Sequence, residues 1–377
     1  MSVWSGLVGQ RHAVDVLREA STNGEAMTHA WLLTGPPGSG RSNAARAFAA
    51  ALQCLEGGCG TCQACTTALA GTHADVTVVA TEKVTISIEE VRELIGVAQR
   101  APSQGRWRVI VLEDADRMVE RTSNVLLKAI EGPPPRTVWV LCAPSPQDVV
   151  VTIRSRCRGV ALRVPPVADV VALLVERDGA EPEVAEMAAR AAQSHIGLAR
   201  RLARDPAARE RRTRTLRLAA EIRGVGDAVL AAADLVEVAT AESKAASEDR
   251  DAGEKAALLH TLGAEGAATL PPAVRAQVRQ LEEDQKRRAT RAQRDVLDRT
   301  LLDLLSLYRD VLVVQLGAEV DLVNPVHEEI RRLAAASTPS QTIRRMDAIG
   351  EARTRLEGNV APLLAMEAMA VALRPQG

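Results

Sequence analysis

The sequence predicts an α/β domain built on a parallel sheet, followed by a second half that is helical throughout. Three observations carry this reading. Short apolar runs alternate with segments of helical periodicity over the first 165 residues. Beyond Pro165-Pro166 the chain reads as helices only. Aromatic residues make up only 2% of the chain, so the core must be built from Ala, Val and Leu, a composition that favours helix packing. Strands that alternate with helices imply a parallel sheet covered on both faces.

The elements follow in order. Ala30–Thr34 is an apolar run ending at Gly35 and reads as a buried strand. Ser42–Leu52 is Ala-rich and helical, and Val76–Val79 is a second strand. Ile88, Val91, Leu94, Ile95 and Ala98 share one helix face. Arg108–Leu112 and Val138–Leu141 are further strands, separated by a helix over Asn124–Glu131 that Gly132-Pro133-Pro134-Pro135 stops. Val167–Arg177, Glu181–Ser194 and Gly197–Leu202 are helical. These elements divide the chain into an α/β domain over 1–165, a small helical domain over 166–225 and a helical C-terminal domain over 226–377. Within the last, Thr240–Gly266 is rich in Ala, Glu, Asp and Lys and reads as a loosely packed insertion. A long helix is expected from Ala273 to about Leu316.

The 377 residues carry 47 Lys and Arg against 48 Asp and Glu, a net charge of −1. That balance argues against nucleic-acid binding by bulk electrostatics, and the scarcity of aromatics argues against base stacking. Arg200–Arg214 and Lys286–Arg294 are basic but interspersed with acids, and read as solvated helix faces. No run of 18 apolar residues exists, so no membrane span is expected. The start lacks a basic region followed by an apolar run, so no signal peptide is expected. Four of the six cysteines fall within twelve positions, the pattern of a metal site in a reducing compartment, and a cytoplasmic protein is expected.

Three motifs carry chemistry. Gly35-Pro36-Pro37-Gly38-Ser39-Gly40-Arg41-Ser42 matches the phosphate-binding loop G-x-x-x-x-G-K-[ST], with Arg41 in place of Lys. It follows a strand and opens a helix, so its amides could wrap a phosphate and Ser42 could reach a Mg²⁺. The planar guanidinium alters the catalytic geometry, and whether ATP or ADP binds with Mg²⁺ is left open. Val109–Leu112 then leads to Glu113-Asp114, where a hydrolytic site of this type carries Asp and then Glu. The swap leaves one acid too long and the other too short for its task. Cys54, Cys59, Cys62 and Cys65 have the spacing of a closed four-thiolate Zn²⁺ site, which is structural because no position is left open. An iron–sulfur cluster is the alternative. Cys142 in its strand reads as a packing residue.

The order of these features resembles the clamp-loader branch of the AAA+ family, and within it the delta-prime subunits of bacterial DNA polymerase III. The residues that carry the resemblance are Leu7-Val8-Gly9-Gln10, the 35–42 loop and the cysteine module inserted after its helix. The strand ending in Glu113-Asp114, Asn124–Pro134 and Ser155-Arg156-Cys157 complete it. The match covers about residues 1–165. It implies an AAA+ domain with a zinc module, a helical lid and an oligomerisation collar. It implies one subunit of an assembly, with gamma/tau and delta subunits as partners, that loads a sliding clamp onto primed DNA, with no membrane involved. It implies Arg156 as an arginine finger reaching a neighbour's ATP, Leu7 and Val8 beside the adenine, and Arg200 in Gly197-Leu198-Ala199-Arg200 as the Arg of a second-domain sensor motif G-x-x-R. Cys142-Ala143-Pro144 lacks the hydroxyl that active members place there, so the chain is expected not to hydrolyse ATP by itself. The alternatives are an active gamma/tau-type ATPase and a zinc-dependent nucleic-acid-binding module.

Overall fold

The computed structural model describes residues 2–81, 85–262, 271–358 and 360–375, in two compact units, Met1–Arg204 and Asp205–Gly377. In the first unit the described residues form a parallel sheet of five strands: β1 (Ala30–Thr34), β2 (Val76–Val79), β3 (Arg108–Leu112), β4 (Thr137–Ala143) and β5 (Arg158–Ala161). Their order across the sheet is β2-β3-β4-β1-β5. The inner strands β1, β3 and β4 are buried at every position and mostly apolar, because both faces are covered. Trp31, Leu33, Val109, Val111, Val138, Val140 and Cys142 point into one core. The alternate residues Ala30, Leu32, Ile110, Leu112, Trp139, Leu141 and Ala143 point into the other.

Helices α1 (Arg11–Thr22), α2 (Arg41–Gln53) and α3 (Gln63–Leu69) supply the first core. In α2 the alanines 44, 45, 47, 49, 50 and 51 are all buried, and Phe48 meets Trp31 edge-on with ring centroids 5.1 Å apart. Helices α4 (Ile88–Ala98) and α5 (Glu120–Glu131) supply the second core. Ser87 and Glu90 close a reciprocal cap that fixes where α4 begins. A single turn, α6 (Val151–Arg154), precedes β5. Strand β5 was not anticipated: it is short, lies at the sheet edge, and only Val160 of its four residues is buried. Helices α7 (Val167–Asp178), α8 (Pro182–Ala191) and α9 (Ile196–Arg204) pack on one another within the same unit.

A buried acid braces the far edge of this sheet. Asp75, just before β2, accepts hydrogen bonds from the amides of Ser103 (2.8 Å), Gln104 (2.7 Å) and Gly105 (2.6 Å). It also pairs with Arg108 at 2.9 Å, and its side chain is fully buried. Burial alone would raise its pKa, but the three amides together outweigh burial and bring it down to about 2.

The second unit contains α10 (Pro206–Glu221), α11 (Val225–Thr261), α12 (Pro272–Leu316), α13 (His327–Ala335), α14 (Pro339–Glu357) and α15 (Pro362–Leu373). Along α12, Leu297, Leu301, Leu304, Tyr308 and Val311 recur at spacings of four and three and are buried against Ala-rich α11 and against α14, while α15 packs on α11 and α14 in the same core. The expected boundary near 225 is displaced. Helix α10 joins the C-terminal unit, burying Leu216 and Ala219 in its core. Arg212, in a stretch read as a solvated face, is buried and donates to Asp303 (2.7 Å) and Asn324 (2.6 Å).

The expected loose insertion over 240–266 is also corrected as far as residue 261, which continues α11 as regular helix; residues 263–266 lie outside the described residues. Polar pairs with α12 take the place of large apolar contacts. Lys255 meets Glu282 at 2.7 Å, Arg288 meets Asp251 at 2.9 Å as well as Glu254, and Gln293 donates to Thr240 at 2.6 Å.

Candidate functional site

The glycine-rich loop spans Gly35–Gly40 between β1 and α2. Gly38 and Gly40 have φ of 86° and 89°, the left-handed region that glycine tolerates best. A Cβ at Gly38 would lie 2.5 Å from Cγ of His195, the residue that leads into α9, so the loop is in close contact with the α7–α9 bundle, which stands where the resemblance implies a lid. A Cβ at Gly35 would lie 2.7 Å from Ser39 Oγ. That buried hydroxyl has no hydrogen-bond partner among the described residues. Gln10 holds the loop from behind: its Nε2 donates to the carbonyls of Ser39 (3.1 Å) and Arg163 (2.6 Å), and its Oε1 accepts from Arg163 N–H at 3.0 Å. In the sequence only its place directly after Gly9, a glycine with positive φ, marks Gln10. Leu7 is buried, Val8 is half-buried, and Gly9, with φ of 72°, packs on Pro165 and Pro166 where sheet passes into lid. Pro36 and Pro37 complete the loop, and Ser42 lies in the first turn of α2.

The charges around the loop are satisfied internally. The Arg41 guanidinium donates to the carbonyl of Gly35. At the end of β3, Glu113 accepts from Arg46 Nε at 2.8 Å. Asp114 accepts from the amide of Thr81 at 3.1 Å and lies 3.8 Å from Arg117. Burial raises the pKa of Asp116 and lifts the Cys142 thiol to about 12, the latter assisted by the Glu113 charge. In the lid, Arg200 forks onto Asp178 with both contacts at 2.6 Å, and Arg204 adds a third at 2.9 Å. The Arg200 hydrogen bond leads in holding the Asp178 pKa down. The guanidinium expected near nucleotide is thus turned toward its own helix bundle in this arrangement.

The cysteine module lies between α2 and β2. Cys54 Sγ is 3.7 Å from Cys59 Sγ and 3.8 Å from Cys62 Sγ, and all four sulfurs, Cys65 included, lie within 4.8 Å of one another. A tetrahedral ion with metal–sulfur bonds of about 2.3 Å has sulfur–sulfur edges of about 3.8 Å, so the donor set fits a metal such as Zn²⁺. A disulfide would need about 2.05 Å. Amides are aimed at the sulfurs: Glu56 and Cys59 toward Cys54, Cys62 toward Cys59, and Cys65 toward Cys62, each at 3.4 Å. The Thr61 and Cys62 amides bring Cys59 down to about 6. Burial works against Cys54, but the amides of Cys59, Gly58 and Glu56 together lower it. Burial raises Cys65. The module is tied to the start of the chain, since Trp4 Nε1 donates to the Gly57 carbonyl and Val3 N–H to that of Gly58, both at 3.1 Å.

Arg156 follows α6 on the surface. Its NH2 lies 2.6 Å from Glu131 Oε1, and its NH1 donates to the Thr152 carbonyl at 2.8 Å. Arg154 donates to the Pro146 carbonyl at 3.3 Å. The structure therefore gathers the loop, the two acids and the lid into one region of the first unit, while the cysteine cluster is a separate centre. No helix among the described residues is long and apolar enough to cross a membrane.

Residues 9–166 match the family described as DNA polymerase III, delta subunit. The chain is 38% identical over 135 residues to DNA polymerase III subunit delta' of Pseudomonas aeruginosa, covering 34% of this chain and 41% of that protein. It is 32% identical over 173 residues to DNA polymerase III subunit gamma/tau of Mycobacterium tuberculosis, covering 45% of this chain and 30% of the relative. The chain thus spans less than half the length of these curated relatives. Among solved structures, a gamma subunit-related protein of DNA polymerase III from Thermotoga maritima aligns over 96% of this chain and 98% of its own, at 15% identity and a TM-score of 0.44. Through residues 9–166 the chain is thus similar to DNA polymerase III subunits of both the delta' and the gamma/tau kind.

Proposed function

We propose that the chain acts as a delta-prime-type subunit of a clamp loader, one that does not hydrolyse ATP itself but presents Arg156 to a neighbouring ATPase subunit. The observation that carries this reading is the internal use of the loop's charges. Arg41 is bonded to its own loop carbonyl, and Glu113, standing where a metal-holding acid is needed, is paired with Arg46. Ala143 adds no hydroxyl at the end of β4. Arg156, although paired with Glu131, lies on the surface with its side chain 40% exposed, where a partner can reach it. A guanidinium placed on a neighbour's γ-phosphate stabilises charge developing in phosphoryl transfer, an effect worth ~10³–10⁵ in rate in other NTPases.

In this reading the partners are the gamma/tau and delta subunits, and through them the sliding clamp and primed DNA, in the cytoplasm. The C-terminal helical unit serves as the assembly collar. Cys54, Cys59, Cys62 and Cys65 hold one Zn²⁺, whose closed thiolate shell supplies a structural cross-link and no catalysis. Leu7 and Val8 border whatever nucleotide enters the loop.

The test is reconstitution with the motor and delta subunits. The chain alone should show no turnover at the ~1 s⁻¹ of a working enzyme. Arg156→Ala should leave assembly intact and slow clamp- and DNA-stimulated hydrolysis by the complex. An unchanged rate would defeat the finger assignment. The likeness to gamma/tau subunits favours a second reading, an active motor, and steady turnover by the chain alone that Ser42→Ala abolishes would establish it.

A further inference from the structure

We propose that Glu131 is a positioning residue for Arg156, holding the guanidinium at the rim of the domain until a neighbour's phosphates take it over; this rests on the reading of Arg156 as a trans-acting finger.

Glu131 is the last residue of α5. A carboxylate there lies at the negative end of the helix dipole, where a cation is the favoured residue. A charge on the wrong end of a helix calls for a compensating partner, and Arg156 is that partner at 2.6 Å. Among the described residues Arg156 is the one side chain paired with this carboxylate. The other end of the guanidinium is fixed as well, with NH1 donating to the Thr152 carbonyl at 2.8 Å and to Ser155 Oγ at 3.2 Å. The fork is therefore stretched between the end of α5 and the turn of α6, two elements that pack together. An unanchored surface Arg would be spread over many rotamers and would have to be ordered at each encounter.

The strength of the hold also suits the task. Both side chains are substantially exposed, Arg156 by 40% and Glu131 by 44%, so water and salt weaken the pair. A triphosphate offers several charged oxygens to the same fork and competes well against one hydrated carboxylate. Glu131 thus directs the side chain without trapping it. Since Glu131 touches Arg156 and not the nucleotide, its effect should pass entirely through Arg156.

The experiment uses the reconstituted complex with clamp and primed DNA. Glu131→Ala should lower kcat for ATP on the order of 3- to 10-fold, with KM changed less than about 2-fold. Glu131→Gln, whose amide oxygen still accepts, should recover part of the loss. The double variant Glu131→Ala/Arg156→Ala should be no slower than Arg156→Ala, because the first change has nothing left to act through. The proposal is overturned if Glu131→Ala leaves kcat unchanged while Arg156→Ala lowers it, or if the two losses multiply. If Arg156→Ala changes nothing, the finger reading falls and the proposal with it. An unchanged melting temperature for Glu131→Ala separates positioning from a purely structural role.

Discussion

Replacing Asp75 by Asn removes one charge from the edge of the sheet and almost no volume. The native carboxylate faces three amides, the Ser103 hydroxyl and the Arg108 guanidinium. Lowering its pKa from 3.8 to about 2 corresponds to about 2 kcal/mol of preference for the charged form in the fold. Asn also brings an NH₂ donor against a ring of donors and leaves the buried Arg108 without its anion, which raises the expected cost to about 3 kcal/mol. For a unit of this size that is a fall of about 6–12 °C in Tm. The sequence itself supplies the assay. Trp4, Trp31, Trp107 and Trp139 all lie in the first unit, so tryptophan fluorescence reports that unit alone. The sign with pH is fixed: a depressed carboxylate stabilises above its unfolded pKa and loses that contribution as pH falls through the folded value. The gap between native and Asp75→Asn curves should be full at pH 7 and close between about pH 4 and pH 2. An unaltered Tm at pH 7, or a gap that stays constant down to pH 2.5, would refute the reasoning.

Other outcomes are expected from the same structure. Elemental analysis of reduced protein should find one Zn²⁺ per chain, and Cys59→Ser should lose it with a drop in Tm; iron in its place would point to a cluster. Gly38→Ala combines a left-handed backbone with a Cβ 2.5 Å from His195, and should lower Tm of the first unit by about 4 °C or more. A Tm equal to native would mean that the lid yields freely. Arg41→Lys should not create an ATPase, because Glu113 stays paired with Arg46; turnover by this single variant would show the acids to be competent.

How much of this was legible depends on whether the signal is local. Strands β1, β3 and β4 are largely apolar runs buried on both faces, which have no other reading once flanked by helices, and β2 is legible as a β-branched run. The cysteine cluster is local too, since four sulfurs within twelve residues can meet without help from the rest of the fold. Strand β5 was missed because Arg158-Gly159-Val160-Ala161 buries one side chain. Asp75, Gln10 and Glu131 carry no pattern of their own; each acquires its role from a partner between 25 and 153 residues away. The boundary after Arg204 was hidden for a related reason. Arg212 looks solvated in a run of arginines and is in fact matched to Asp303 on a helix 91 residues later. Polar pairing along α11 and α12 likewise replaces the apolar signal by which a packed helix is usually recognised.

Strand β1 occupies an inner position in the sheet, yet both of its neighbours come late in the chain. Ala30 pairs with Trp139 and Trp31 with Arg158, so no lateral partner exists until more than 100 further residues have been made. At ~5–20 residues per second of synthesis, that is a wait of roughly 5–20 s. Throughout it, Ala30-Trp31-Leu32-Leu33 is an apolar segment with unpaired amides on both edges. The unit should therefore close late and all at once as β4 and β5 leave the ribosome. Nascent chains stalled before about residue 140 should be held by chaperones and cut readily by protease. Chains stalled far enough beyond residue 204 to free the whole unit should resist.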